Sequence, residues 1–306
     1  MPCYQDAASA RLTIKDLAEN RSHDYPIDIY LVNDYPLVEL NKEDFAFEPQ
    51  NEGFPLYEIR LTHNVGQQKA IAIGACHAAN KNYSHILIMD CDGEDTAEAA
   101  HLLIRECAPN ESIVAKRGKR REGKTFRLGY ALYKATFSFF TGINIDFGNF
   151  MILPKDHAAE LFSNTSAWVH VAATLLKARI PFRKIVIDRG ARKLGHSRMN
   201  LAKLLFLGIS ATSIFSEMVV GRVFGLCQAL WICTFLAIIY LLIKKVFFMS
   251  PLGWATILSL LLITLSTLSS LILITFCCLL VWNKTRDYDS IMRNYTLFIR
   301  SEKRLA

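Results

Sequence analysis

The chain has 306 residues, a formal net charge of +7, and a composition that is 52% hydrophobic and 21% charged. That length holds one domain of about 200 residues and a further part. Residues 223–243 and 246–282 contain no Asp, Glu, Lys or Arg, which argues against a wholly soluble protein. The eight cysteines show no C-x-x-C or other metal-ligand spacing, and the eight histidines form no H-E-x-x-H cluster, so thiolate and zinc-peptidase centres are excluded as readings.

Met1-Pro2-Cys3-Tyr4 reads as the end of a strand whose body is missing, because a helical pattern begins within a few residues and covers 7–20. Two readings stay open there: a fold that tolerates a stub, or a start placed too late. Apolar runs predict strands at 27–33, 56–62, 84–89, 112–115 and 184–187, with helices at 67–80 and 96–106 between them. Strand and helix in alternation predict an α/β sheet with parallel pairing and helices on both faces. Sheets of that kind bind ligands at the carboxyl ends of their strands.

At one such end stands Asp90-Cys91-Asp92-Gly93-Glu94-Asp95, directly after the run His85-Ile86-Leu87-Ile88-Met89. Carboxylates two apart at a strand end can turn toward one hard divalent cation, so Asp90 and Asp92 are the metal candidates, with Mg or Mn bridging to a diphosphate. A solvated acidic turn that caps the next helix is the plainer alternative.

Further along, Lys116, Arg117, Lys119, Arg120, Arg121, Lys124 and Arg127 face a single acid, Glu122, a local net of +6. A solvated loop, a nucleic-acid patch and a phosphate or lipid-headgroup site all fit such a run. Without interleaved aromatics, no nucleic-acid partner is expected, and headgroup contact through Arg117 and Arg121 fits best. Arg189, Arg192 and Arg198, with Ser197, form a second cationic cluster just before an apolar helical pattern at 199–215, which suits a helix lying in the headgroup plane. Guanidinium groups there can grip an acceptor phosphate bidentately.

The two uncharged stretches predict a pair of transmembrane helices with a turn at Met249-Ser250-Pro251-Leu252-Gly253. Lys244 and Lys245 are the hairpin's only cations, whereas Arg222 and the tail residues Lys284, Arg286, Arg293, Arg300, Lys303 and Arg304 flank its outer ends. The positive-inside tendency then assigns the amino-terminal domain and the tail to the cytosol. No export signal is visible in the first 20 residues. The expected divisions are 1–198, a soluble domain; 199–222, an interfacial segment; 223–282, the membrane hairpin; and 283–306, a basic tail.

Pro2-Cys3-Tyr4-Gln5-Asp6, Val32-Asn33-Asp34, Asn64-Val65-Gly66-Gln67-Gln68-Lys69-Ala70, the D-C-D-G-E-D run, Gly148-Asn149-Phe150 and the segment from Arg189 to Arg198 resemble, in this order, glycosyltransferase family 2. The resemblance is closest to its polyprenyl-phosphate, dolichol-phosphate mannose synthase-like branch. It implies a nucleotide-diphospho-sugar transferase domain of GT-A, Rossmann-like form, and an inverting single displacement for cell-envelope glycan synthesis. The implied partners are a nucleotide-diphospho-sugar donor, polyprenyl phosphate or a related lipid, and a membrane, with the bacterial inner membrane the expected setting and a homo-oligomer left open.

By the same likeness Pro2, Tyr4 and Asp6 line the nucleotide pocket, Asp34 contacts the base, Asn64, Lys69 and Asp90 lie on the donor side, and Asp95 is close to the sugar. Relatives carry Asp where this chain has Asn149, and Asn accepts no proton at neutral pH, so Asp146 becomes a substitute base. Two rival readings are a processive polysaccharide synthase, disfavoured by the missing Q-x-x-R-W signature, and a catalytically silent nucleotide-sugar-binding protein.

Overall fold

The computed structural model describes residues 1–20, 25–45, 54–118, 134–194, 201–248, 253–284 and 291–306. The chain divides into two compact units. The first comprises Met1–Ala131, Ile145–Ile214 and Tyr288–Ala306; the second comprises Leu132–Asn144 and Phe215–Asp287.

In the first unit, β1 (Pro2–Cys3) leads into α1 (Ala7–Glu19), and the apolar runs become β2 (Ile29–Asn33), β3 (Leu56–Leu61) and β4 (His85–Ile88). Helix α2 (Gln67–Ala79) joins β3 to β4, and α3 (Ala97–Glu106) follows β4. Every residue of α2 from Ala70 to Ala79 is buried, as expected of a crossover helix lying on a sheet. Next come β5 (Ser112–Arg117), β6 (Phe147–Pro154), α4 (Lys155–Ser163), α5 (Val171–Lys177), β7 (Phe182–Ile187) and α6 (Leu201–Ile214), with β8 (Ile299–Arg304) at the end of the chain.

The strands form two four-stranded sheets, ordered β1-β2-β3-β8 and β4-β6-β5-β7. Parallel pairing holds for β1–β2, β2–β3 and β5–β7, but β4–β6, β5–β6 and β3–β8 are antiparallel, so the sheets are mixed where the alternation predicted parallel pairing throughout. Two apolar cores form against these sheets. One gathers Ile71 and Ile73 of α2 with Leu161, Phe162 and Leu175, and the other gathers Ile14 and Leu17 of α1 with Leu103 of α3.

The tail does not stand as a basic segment by itself. Its strand β8 pairs from Arg304 opposite Tyr57 to Ile299 opposite Leu61, and Lys303 reaches buried Glu58 at 3.6 Å.

The second unit contains α7 (Ser216–Phe248) and α8 (Trp254–Lys284). Helix α7 begins at Ser216, so residues 216–222, expected in the interfacial segment, belong to the long helix. Windows Ser216–Lys244 and Thr256–Leu279 are long and apolar enough to cross a membrane, and only 17% and 11% of them are buried, unlike the core helix of a soluble domain. The two helices are joined by polar contacts. The Thr234 and Ser266 hydroxyls lie 2.9 Å apart, and Trp231 Nε1 donates to Ser270 Oγ at 2.7 Å. Of the expected turn, only Gly253 lies within the described residues.

Candidate active site

The carboxyl ends of β1, β2 and β4 carry the acids singled out in the sequence. Beyond β4 the chain turns at once: Asp90 N donates to Asp95 Oδ2 at 2.9 Å, and Glu94 N donates to Asp92 Oδ1 at 3.0 Å. Gly93 sits in this turn at φ 83, a conformation that favours glycine. Thr96 then caps α3, its hydroxyl accepting from Ala99 N at 3.3 Å. Asp95 is buried with a carboxylate oxygen holding the turn, so it shapes the loop that presents Asp90 and Asp92. Asp90 Oδ1 accepts from Gln67 Nε2 at 2.9 Å. In the sequence Gln67 is marked only by its place in the Asn64–Ala70 motif, and its approach to Asp90 depends on the fold.

At the end of β2, Asp34 is buried. Its Oδ1 accepts from Val65 N at 2.7 Å and its Oδ2 from Gly66 N at 3.0 Å, while Asn64 Nδ2 donates to the Asp34 carbonyl at 3.2 Å. Burial pushes its pKa up against the pull of those two amides. Asp34, expected at the base, clamps the loop that opens α2. Lys69 is exposed and stands 5.7 Å from the Trp168 ring centroid. Pro2 lies in β1 and pairs with Val32; Tyr4 is exposed and packs edge-on against Tyr35 at 5.6 Å, an aromatic corner open to a flat ligand.

A strap of residues 189–194 crosses the acidic turn. Gly190 N donates to the Glu94 carbonyl at 2.9 Å, and Lys193 N donates to the Asp92 carbonyl at 3.1 Å. The approach is so close that a Cβ on Gly190 would stand 2.6 Å from Thr96 Cγ2 and 2.8 Å from the Gly93 carbonyl. Side chains reinforce it: Arg189 pairs with Glu94, and Lys193 with Asp16. Arg192 spans two site acids, donating from Nη1 to Asp92 Oδ2 at 3.1 Å and from Nη2 to Asp6 Oδ2. Sequence reasoning named Arg189 and Arg192 for an acceptor phosphate but not the carboxylates they meet; Ser197, Arg198 and Arg121 lie outside the described residues.

A model of glycosyl transferase family 2 matches residues 1–163, just over half of the chain. The chain belongs to glycosyl transferase family 2. No curated protein matches it. Membership makes it a glycosyltransferase taking a nucleotide-sugar donor and an acceptor. The family match covers Asp6, Asp34, Asp90, Asp92 and Asn149, whereas the strap and both long helices lie beyond it.

The donor set of this family 2 site is compatible with a divalent ion. No trio of His, Cys, Asp or Glu is poised for a metal among the described residues. Mg characteristically takes one or two carboxylates and fills its shell with water and substrate phosphate, and Asp90 and Asp92 would supply such a pair. The guanidinium of Arg192 is the cation that Asp92 meets in the structure.

Asp95 and Asn149 do not share a face. Strand alternation puts Asn149 on the side of β6 carrying Phe147 and Met151, while Phe150 turns toward the cleft lined by Asp95 and Arg189. The buried Oδ1 of Asn149 has no hydrogen-bond partner among the described residues. Asp146 is ion-paired to Lys184 at 2.8 Å and to Lys116 at 2.9 Å. Burial alone would raise its pKa, but the hydrogen bonds from both lysines outweigh that and hold it below the ordinary value. A carboxylate held down in this way is a weak base. Arg117 ends β5, one residue beyond Lys116.

Proposed function

We propose that this glycosyltransferase moves one sugar from a nucleoside-diphosphate donor to a lipid phosphate of the polyprenyl class at the cytosolic face of a membrane. The observation that carries the reading is Arg192, an acceptor-side cation within hydrogen-bond reach of the donor-side acids Asp6 and Asp92. The two phosphates of the proposed reaction, one on the leaving group and one on the nucleophile, would thereby meet between the acidic turn and the strap.

The membrane reading rests on the two apolar helices and on the return of the chain. Polypeptide leaves the α/β unit after Ile214 and rejoins it at Tyr288, and β8 pairs with β3. If the helices span, they do so as a pair that brings the tail back to the side of the catalytic unit, and the positive-inside tendency makes that side cytosolic. Helix α6 exposes Phe206 and Ile209, the apolar face of a helix suited to the headgroup layer.

In the proposed step an oxygen of the lipid phosphate attacks the anomeric carbon as its bond to the diphosphate breaks, giving inversion and a free nucleoside diphosphate. A phosphate monoester has a second pKa near 6, so the nucleophile is already largely deprotonated at pH 7. What the chain then supplies is position and charge. Arg189 and Arg192 draw the acceptor phosphate in, and Asp90 and Asp92 would hold Mg or Mn. Such an ion, when bound, offsets charge on the leaving diphosphate.

The test is incubation of membranes containing the protein with a panel of labelled nucleotide sugars and polyprenyl phosphate. An organic-soluble product that appears only with lipid phosphate and divalent cation supports the proposal. Label that stays water-soluble with every donor contradicts it.

A further inference from the structure

The loop that follows β2 has little apolar anchorage. Leu37 and Val38 at its tip are 80% and 53% exposed, and only at Leu40 does the chain turn inward again. A segment so exposed owes its shape to polar contacts. Asn33 begins the hold: its Oδ1 accepts from Tyr35 N at 3.0 Å, and its Nδ2 donates to the Val38 carbonyl at 2.8 Å. Arg60 of β3 adds to it, donating to the Pro36 carbonyl from Nε at 3.1 Å and from Nη2 at 2.5 Å.

These contacts converge on a buried acid. Glu58 of β3 is 1% exposed, and its Oε1 accepts from Asn33 Nδ2 at 2.7 Å and from Leu40 N at 3.3 Å. A buried carboxylate is tolerated where hydrogen bonds and an opposite charge surround it. The opposite charge comes from the end of the chain. Lys303 stands across from Glu58 in the pairing of β8 with β3, and its Nζ lies 3.6 Å from Glu58 Oε2 and 2.6 Å from Glu39 Oε1. One ammonium therefore meets the loop directly at Glu39 and, through Glu58 and Asn33, at its root.

The same loop carries Tyr35, whose ring meets Tyr4 edge-on at 5.6 Å. We propose that Lys303 is a positioning residue for the nucleotide donor: by fixing Glu58 and Glu39 it sets the Tyr35 side of the aromatic corner, so that docking of β8 governs how tightly the donor's base is held. The proposal rests on the reading of that corner as the nucleoside end of the donor site, and it adds to that reading a residue that follows both long helices in sequence. A flat base is held by ring contacts, and these depend on where the rings stand. Slackening the loop shifts Tyr35 against Tyr4 and leaves Asp90 and Asp92, which belong to the turn after β4, in place. The effect then falls on the base and spares the diphosphate.

The test uses the full chain in lipid, with UDP, GDP, CDP and inorganic pyrophosphate titrated by calorimetry and amide hydrogen exchange read over residues 34–40. Lys303→Gln is expected to speed exchange there and to weaken the nucleoside diphosphate that the unaltered chain binds by about fivefold, the upper range for a partly exposed ion pair. Pyrophosphate binding, kcat and the acceptor KM are expected to stay as they were. Lys303→Arg, which keeps the charge, is expected to restore both readouts. Arg304→Gln removes an equal charge from β8, but Arg304 is exposed and its Nε turns back to the Ala306 carbonyl, so it is expected to change neither. Unchanged exchange in Lys303→Gln, faster exchange with unchanged nucleoside diphosphate affinity, or a loss that pyrophosphate or Arg304→Gln shares overturns the proposal. Binding of none of the three nucleoside diphosphates overturns it together with the donor reading. The expected pattern in a chain that transfers nothing to polyprenyl phosphate supports the positioning role and contradicts the acceptor reading alone.

Discussion

Arg192 donates to Asp92 at 3.1 Å across 100 residues of sequence, joining the strap after β7 to the acidic turn after β4. The same guanidinium meets Asp6 beyond β1, so three separate segments converge on one cation. Removing that cation separates two effects. Arg192→Gln is expected to raise the KM for polyprenyl phosphate about tenfold, the scale of a charge-assisted hydrogen bond. It is also expected to tighten Mn binding about threefold, because the freed carboxylates keep their charge. Titration of Mn by paramagnetic resonance, beside acceptor and donor KM values, checks both; weaker Mn binding would show that Arg192 supports the metal site rather than competing with it.

Asp92→Ala is expected to lower divalent-dependent transfer by about 100-fold or more, since a cation on a leaving diphosphate contributes several kcal/mol. Circular dichroism and membrane insertion should be unchanged, because Asp92 is partly exposed in a turn. Turnover of labelled donor decides the matter, and full activity in the variant removes the metal assignment.

Asp146→Asn distinguishes a base from an ion-pair partner. Its depressed pKa means that its stabilising contribution is present above the ordinary value of 3.8 and is lost as pH falls below it. The variant is expected to lose that acid-side dependence and about 1 kcal/mol at neutral pH, with kcat changed less than about threefold. A drop of about 100-fold or more with loss of the acid-side limb of the pH profile would instead make it the base.

His170 offers a pH handle away from the site. Its Nδ1 accepts from Ala173 N at 3.2 Å at the start of α5, and burial pushes its pKa from 6.5 to about 4. The unfolded chain binds the proton first, so stability falls as pH drops from 6.5 toward 4 and levels off below. His170→Asn keeps a capping acceptor and is expected to flatten that slope. Melting midpoints across the window check it.

Strands β2, β3 and β4 and helices α2 and α3 were legible because buried strands and the helix between them write their burial directly as apolar runs and caps. Strand β8, Ile-Arg-Ser-Glu-Lys-Arg, was not, since an exposed edge strand carries charge in place of an apolar run. Strand β6 was read for the chemistry of Asn149, and its antiparallel pairing to β4 and β5 leaves no local mark. The same holds at the site: the acidic turn is a local signal, whereas the contact of Arg192 with Asp6 and Asp92 depends on tertiary approach. Asp34 shows the limit most plainly, for a carboxylate at a strand end looks alike in sequence whether it meets a ligand or clamps Val65 and Gly66.

The most direct measurement is release of nucleoside diphosphate from purified protein in lipid, with a donor panel, as polyprenyl phosphate is added. Release that rises about 100-fold with the lipid phosphate, needs Mg or Mn, and is absent from Asp92→Ala is the expected result. Release that is indifferent to the lipid phosphate, or no release from any donor with either ion, would contradict a sugar transfer between two phosphates at Arg192.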